Sequence, residues 1–447
     1  MAALSIESLL RSGPASASEL QTRLGISQPT LSRAMKARLG LTIVRVGRTR
    51  QARYYGIRPV ADQSQFPIYR VTPEGTVQPV GILYPVHGGF VVDREDGDPS
   101  VYAGLPWWLN DMRPQGFLGR AWARRNAGSL GLSADLLTWD DDAVLIALAS
   151  GEHDMPGNLL VGDNSRAEWL ACRPEDVPAT ERAARYPLLA MQATAGEAPG
   201  SSAAGEQPKF TAVVDGQSVI VKFSAAQDNA VSERWRNLLA AEHIALTLLN
   251  RSGLAAAESA VLDAGGQRFL QVTRFDRTPQ GGRHGLVSLA TLDAEFVGMG
   301  NGTWPEVTLA LTRAVSPRSK QHIITAEAHQ QACALFAFGR LIGNTDMHLG
   351  NIACFHEGPL PLSLAPIYDM LPMALSPQPG GAFQNELPPF RLTALPHADV
   401  WSAMVPLARE FWDLVEKDER VTPPFAQIAR RQQAWLDEAE RQIKRLG

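Results

Sequence analysis

The run "FGRLIGNTDMHLGNIACF", followed a little later by "LAPIYDM", allows few folds, because it demands a helix, a polar loop, a strand and an extended run ending in an acid. Residues 323–343 carry helical apolar periodicity that Gly343 can end, which puts Asp346 on the loop just beyond. "IACF" predicts a short strand and "LSLAPIYDM" another, joined through "HEGPLP", so the end of the second returns beside the start of the first. Asp346, Asn351 and Asp369 then face one site. A carboxylate beside an attacking hydroxyl, with an Asn and a second Asp to hold magnesium, is the set that phosphoryl transfer requires. Taken singly, Asn344, Asp346 and Asn351 also fit loop residues whose side chains satisfy local backbone groups. His348, between the acid and the Asn, suits a loop-bracing or packing role as well as a contact with phosphate.

The 447 residues, 45% of them hydrophobic, are enough for about three domains with sizeable cores. No apolar run approaches the roughly 18 residues of a membrane span, and the N-terminus lacks a signal peptide's basic start and apolar stretch, so a cytoplasmic protein with no membrane partner is expected. Cys172, Cys333 and Cys354 are odd in number and without a C-x-x-C pair, which argues for buried, reduced thiols over disulfides or a thiolate zinc site. The nine His residues include no H-E-x-x-H pair. Charge is unevenly spread: residues 1–60 hold ten Lys or Arg against Glu7 and Glu19, a balance of +8 in a chain whose total is −4. A basic head on an acidic body points to a polyanionic partner for the head alone.

The head reads as a winged helix-turn-helix over residues 1–60. "SIESLLRS" predicts a first helix, "ASELQTRLG" a second capped by Ser16 or Ser18 and closed by Gly25, and "ISQPTLSRAMKARL" a third with Ser27 as N-cap and Pro29 in its first turn. "LTIVRVGRTRQARYYGIR" then alternates around a "GRTR" turn as a hairpin. In such a unit the third helix offers Ser27, Gln28, Thr30, Ser32, Arg33 and Lys36 to the major groove of double-stranded DNA, while Arg45, Arg48, Arg50 and Arg53 reach phosphates or the minor groove. A protein-interaction module with a solvated basic face fits the same pattern.

Residues 61–180 break into short strand-like runs, "FPIYRV", "VQPVGILY", "GFVVD" and "VYAG", before a helical, tryptophan-rich piece and the helix "DDAVLIALASG". Trp107, Trp108, Trp122 and Trp139 are expected to fill that core. Residues 192–209 have a flexible linker's composition, yet "FTAVVDGQSVIVKFS" follows at once as a hairpin turning at "DGQ" and ending on Lys222. A Gly-rich segment, a strand pair and a lysine in that order match the nucleotide-covering loop of protein kinases. Glu242, on the helix "RNLLAAEHIALTLLN", lies twenty residues beyond Lys222 and can pair with it to set the lysine on the phosphates.

This series resembles the HipA-type toxin serine/threonine kinases, from about residue 66 to the C-terminus, and with its fused head looks most like their YjjJ-type members. The resemblance implies an α+β multidomain chain: the winged helix, a β-rich subdomain at 61–180, a nucleotide-binding N-lobe at 181–276 and a helical C-lobe at 277–447, the last two like the bilobal protein and phosphoinositide kinases. It implies ATP and Mg2+ as cofactors and a protein Ser/Thr hydroxyl as acceptor. "SAAGEQPKF" is similar to the family's phosphate loop, which assigns Ser202 to autophosphorylation and Ser202, Ala204, Gly205, Gln207 and Lys209 to nucleotide contacts. Lys222 takes the place of the phosphate-binding lysine, "TRFDR" that of the hinge with Thr273 and Phe275 at the adenine, Asp346 that of the base and Asn351 and Asp369 those of the metal ligands. His348 is grouped with the catalytic and nucleotide-binding residues. Thr273 stands where the family often has Glu, and Gly350 replaces a common Lys. The family's usual partner is a separate DNA-binding antitoxin, which an attached head leaves open. Two other classes fit the same residues: a transcription factor whose kinase-like body senses a nucleotide or effector, and a small-molecule or lipid kinase.

Overall fold

The computed structural model describes residues 5–95, 97–151, 154–195, 207–317, 319–378 and 380–445. It is a mixed α and β structure in two compact units, one of residues 1–115 and 119–173, the other of residues 116–118 and 174–447.

The first unit begins with helices α1 (Ile6–Leu10), α2 (Ala17–Leu24) and α3 (Gln28–Lys36) and strands β1 (Ala15–Ser16), β2 (Ile43–Val46) and β3 (Arg53–Gly56). Ser16 caps α2 through the N–H of Glu19, whose carboxylate returns a bond to the N–H of Ser16, and Gly25 closes the helix in the left-handed region. The third helix ends at Lys36, three residues before the sequence pattern does, because Arg38 to Gly40 turn back to meet Ile43. β2 and β3 pair antiparallel, and β1 adds a third strand. Leu10, Leu20, Leu31, Met35 and Ile43 form the core beneath.

Side chains alternate across a strand, so the register sets Arg45, opposite Tyr54, and Arg53, opposite Val46, on different faces of the hairpin. Both faces are covered: Ile43 and Tyr54 pack on the helices, while Val44 joins Tyr84, Val86 and Val91 of the next sheet. A bridge from Ile57 to Val86 and the Arg58–Asp142 ion pair bind the same two regions. The chain therefore has no structural break at residue 60.

That next sheet contains β4 (Phe66–Val71), β5 (Val77–Val86), β6 (Gly89–Arg94), β7 (Ser100–Tyr102) and β8 (Leu159–Val161) in the order β7-β6-β5-β4-β8. Helices α4 (Gly116–Asn126), α5 (Asp141–Ala149) and α6 (Gly162–Ala171) accompany it. Trp108 and Trp122 are buried and Trp107 and Trp139 pack against them, so the tryptophans fill the core as their number suggests.

The second unit starts at residue 174, inside the stretch assigned to the preceding subdomain, because β9 (Asp176–Val177) pairs in parallel with β10 (Lys209–Val214). Helix α7 (Arg182–Thr194) extends into the segment whose composition reads as a linker. β10 and β11 (Gln217–Phe223) form the hairpin, turned at Asp215 and Gly216 with positive φ at both. With β12 (Ser259–Ala264) and β13 (Gln267–Thr273) they complete a sheet ordered β12-β13-β11-β10-β9, on which α8 (Ala230–Arg251) packs. The rest is mainly helical: β14 (Leu286–Ser288), α9 (Leu289–Phe296), α10 (Trp304–Arg313), α11 (Ala326–Leu341), β15 (Ala353–Phe355), α12 (Ala398–Lys417) and α13 (Pro423–Lys444). Trp304, Phe338, Trp401, Phe411 and Trp412 are its largest fully buried side chains.

The "LSLAPIYDM" run does not become a full strand. It meets β15 through one bridge, Cys354 to Leu364, since Pro361 and Pro366 withhold the N–H groups a longer ladder needs. Cys333 and Cys354 are buried as expected, whereas Cys172, at the end of α6, is half-buried.

Because Tyr84 carries the contact between the hairpin and the next sheet, Tyr84→Ala should cost about 3 kcal/mol, the range of large-to-small core changes. Hydrogen exchange on the full chain should show the amides of residues 43–56 opening roughly 10²-fold faster. Unchanged protection of the hairpin contradicts the shared core.

Candidate active site

Helix α11 ends where the sequence says it must: Gly343, at φ +80°, turns the chain, and a Cβ there would strike Leu387. The loop beyond is held from inside by Asn344, which is 2% exposed. Its Oδ1 accepts the N–H of Asp346 at 3.0 Å, and its Nδ2 donates to the carbonyl of Asp369 at 3.2 Å. One buried amide thus sets the distance between the two acid-bearing loops. Asp346 keeps its carboxylate at the exposed end, and Asn351 donates from Nδ2 to the Asp346 carbonyl at 2.8 Å.

Asp369 sits at φ +53°, a conformation rare for a residue with a side chain. Its carboxylate ion-pairs with the Lys222 ammonium, which also donates to Glu242 Oε1 at 2.5 Å. Lys222 and Glu242 are 7% and 1% exposed. Burial alone would lower the lysine, yet the charges of Asp369 and Glu242 outweigh it and hold the ammonium above its ordinary pKa. Burial likewise pushes Asp369 up, and the charges of Lys222 and Lys209 overcome it, so that carboxyl lies below its usual range. Glu242 is the more deeply buried acid, and there burial wins: its carboxyl is raised. Its Oε2 has no hydrogen-bond partner among the described residues.

Lys209 lies directly across the ladder from Lys222, so both ammonium groups leave the same face of the sheet. Two like charges opposite each other repel. The pair of carboxylates facing them compensates. Gln207 donates to the carbonyl of Phe223 and anchors the start of the hairpin. Ser202, Ala204 and Gly205 lie outside the described residues.

His348 is turned to its own loop: Nδ1 accepts the N–H of Gly350 at 3.0 Å, and its carbonyl takes the Trp304 indole N–H at 3.0 Å. A Cβ on residue 350 would come within 3.0 Å of that ring, so Gly350 lets the imidazole fold back. Thr273 ends β13 with its N–H on the Glu258 carbonyl. Phe275 packs on Tyr368 at 5.9 Å and edge-on to Phe355 at 6.2 Å, while the Tyr368 hydroxyl donates to the Gly350 carbonyl. The flanking residues of "TRFDR" do something the motif reading omits. Arg274 grips Asp276 with two bonds of 3.0 Å, and Arg277 joins at 2.7 Å, which makes a buried ionic knot behind Phe275.

Among the described residues no group of three or more His, Cys, Asp or Glu forms a metal cage. The hard oxygen donors on offer are the Asp369 carboxylate, which is paired with Lys222, and the amide oxygen of Asn351, whose nitrogen donates to the Asp346 carbonyl. Hard oxygen donors of this kind suit magnesium, which keeps waters and shares its shell with substrate oxygens. The residues therefore fit the ion.

Residues 62–170 match the description "YjjJ-like toxin, middle domain", and residues 201–435 match "HipA-like C-terminal domain". A curated protein of Escherichia coli (strain K12), "Toxin YjjJ", is 38% identical, over 98% of this chain and 98% of that protein. The chain belongs to the YjjJ-like toxin family of HipA-related proteins. The YjjJ middle-domain match covers β4 to β8, and the HipA-like match covers β10 to β13, with Lys222 on β11, and the loops that bear Asp346 and Asp369. Among solved structures, HipA in the HipA, HipB and operator DNA complex of Shewanella oneidensis MR-1 aligns with a TM-score of 0.48 and 16% identity, covering 84% of this chain and 97% of that one. The Helicobacter pylori proinflammatory kinase CtkA aligns with a TM-score of 0.38 and 13% identity over 54% of this chain and 93% of its own. Among the described residues of this YjjJ-like chain no helix is long and apolar enough to cross a membrane.

The Lys222 ion pairs give a pH prediction. Asp369, held low, contributes stability above the ordinary Asp value of about 4 and loses it as pH falls through its lower folded value. Lys222, held high, contributes below about 10 and loses it only as pH rises through its higher folded value. The contribution is therefore whole between roughly pH 4 and 10. Lys222→Met strands two carboxylates and should cost about 3–5 kcal/mol at pH 7. The deficit should shrink as pH is lowered to 5, when those carboxyls take up protons. A melting-temperature gap between parent and variant that does not narrow with acid contradicts the arrangement.

Proposed function

We propose that the chain is an ATP- and magnesium-dependent serine/threonine protein kinase of the HipA toxin type that carries its own winged helix-turn-helix DNA-binding head. The single observation that carries the enzymatic half is the junction of Lys222 with both Glu242 and Asp369, one buried amide away from Asp346. In this reading the second unit corresponds to a bilobal kinase body, with the β9–β13 sheet and α8 as its smaller lobe. Lys222, oriented by Glu242, and Lys209 beside it bind nucleotide phosphates; Asn351 and Asp369 hold magnesium. When bound, ATP supplies the phosphoryl group and magnesium neutralises the charge on its oxygens. Asp346 orients the acceptor hydroxyl and takes its proton on the exposed carboxylate. His348 braces that loop, and Phe275 offers a ring to adenine over backbone groups near Thr273.

Asp346→Asn and Asp369→Asn should each lower transfer from labelled ATP to protein by at least roughly 10²-fold; Asp346→Asn should leave the melting temperature near the parent's, whereas Asp369→Asn also gives up the ion pair to Lys222 and should lower it, so transfer is compared well below both transitions. Expression of the parent should slow growth, and both substitutions should relieve it. Near-normal turnover in either variant removes the assignment of these two residues, and absence of turnover in the parent leaves a nucleotide sensor as the better reading. Ser202 is the expected autophosphorylation site, read by mass spectrometry of the incubated chain.

The DNA-binding half is supported by the exposure of Ser27, Gln28, Thr30, Ser32, Arg33 and Lys36 along one helix and of Arg45, Arg48, Arg50 and Arg53 on the hairpin. These arginines are not equivalent. Arg48 is paired with Asp98 at 2.8 Å and Arg53 lies 3.8 Å from Glu19, whereas Arg45 and Arg50 have no ion-pair partner among the described residues. Arg50→Ala should weaken binding to all duplex sequences and reduce the slope of log K against log salt by roughly 0.9. Gln28→Ala should relax preference at one position, by about 1–3 kcal/mol. Since the head shares its core with the following sheet, the measurement is made on the full chain. Absence of salt-sensitive DNA affinity makes the head a protein-interaction module. An attached head also supplies what a separate antitoxin would bring to DNA, and the reading places the protein in the cytoplasm, on the nucleoid when DNA-bound.

A further inference from the structure

Within the second unit, away from the Lys222 cluster, a cavity of about 280 Å³ opens between the start of α8, residues 383–385 and the start of α13. Its most unusual member is Arg234. The side chain is 94% buried, since only 6% of the residue is exposed, and it lies over the Phe383 ring at 4.2 Å and the Phe425 ring at 5.3 Å. Its hydrogen bonds go to the carbonyls of Leu375 and Gln384, each at 3.0 Å, and to Asn385 Oδ1 at 2.6 Å. Every one of those acceptors is neutral.

A buried guanidinium ordinarily sits against a carboxylate, because neutral acceptors satisfy its N–H groups without cancelling its charge. Two other buried arginines of this unit are paired in that way, Arg268 with Asp263 and Arg274 with Asp276. Among the described residues Arg234 has no such partner. Burial accordingly lowers its pKa, with only the charge of Glu233 acting the other way. The charged groups that line the cavity are Arg234, Arg431 and Glu233, so positive charge is in excess there. Two helix starts add to it in the same sense.

We propose that this cavity is an anion-binding site for a small phosphate monoester, with Arg431 as its direct cationic contact, the uncompensated charge of Arg234 behind it, and Glu233 as the group that limits its affinity. The volume lies near the lower end of small-molecule sites, and the two aromatic rings are already covered by the guanidinium, so a compact polar ligand fits better than an apolar one. Arg234 stands eight residues before Glu242 on α8, about 12 Å along one helix. The site is thus distinct from the nucleotide site of the proposed kinase and does not depend on that reading.

Calorimetric titration of the full chain with inorganic phosphate at constant ionic strength tests it, with chloride as the control. Saturable binding is expected for phosphate and not for chloride. Arg431→Gln, an exposed rim substitution that leaves the fold alone, should weaken it at least about fivefold, and Glu233→Gln should tighten it. Binding no stronger than chloride overturns the proposal and leaves Arg234 as a purely structural clamp on residues 375–385. Saturable binding that Arg431→Gln leaves unchanged overturns it too, since the phosphate then sits elsewhere, as at Lys222.

Discussion

One ammonium between two carboxylates joins the parts of this protein that matter. Lys222 on β11 meets Glu242 on α8 and Asp369 at the end of a loop 147 residues away, with both the lysine and the glutamate buried. Buried charges persist only when paired, so the three elements cannot separate without stranding an ion. One cation facing two anions is also left net negative, and the environment resolves this unevenly. Asp369 is kept ionised, while Glu242, with an unbonded oxygen, is pushed toward protonation. A second lysine, Lys209, stands opposite Lys222 in the ladder, and its charge helps to keep Asp369 ionised.

The same junction explains the looser parts around it. Asn344 carries the position of Asp369 across to Asp346, Gly343 and Gly350 give the loop its tight turns, and Trp304 fixes the loop from below through the His348 carbonyl. None of these touches a reacting atom. They set where the carboxylates and the amide of Asn351 stand, which in the proposed phosphoryl transfer, a reaction dominated by positioning and charge, is most of what a protein can contribute.

Much of this was legible in the sequence because it is local. The helix ending at Gly343, the hairpin turning at Asp215 and Gly216, and the twenty-residue step from Lys222 to Glu242 follow from periodicity, turn chemistry and spacing. What was not legible is what depends on distant partners. Asn344 fits a loop residue by sequence, yet its amide spans two loops, and the Arg274–Asp276–Arg277 knot is hidden in a motif read for its threonine and phenylalanine. The shared cluster of Val44, Tyr84, Val86 and Val91 gave no signal, since alternating strands look alike whether one face or both are covered. Two prolines shortened the run before Asp369 to a single bridge, a count the apolar pattern alone overestimates.

The account stands on Lys222 and Asp369 serving one bound nucleotide with its metal, and calorimetric titration of ATP with and without magnesium reads that directly. The parent should bind ATP more tightly when magnesium is present, Asp369→Asn should lose the magnesium effect, and Asp346→Asn should keep it although it no longer transfers phosphate. ATP affinity indifferent to magnesium in the parent, or a magnesium effect unchanged by Asp369→Asn, contradicts the account.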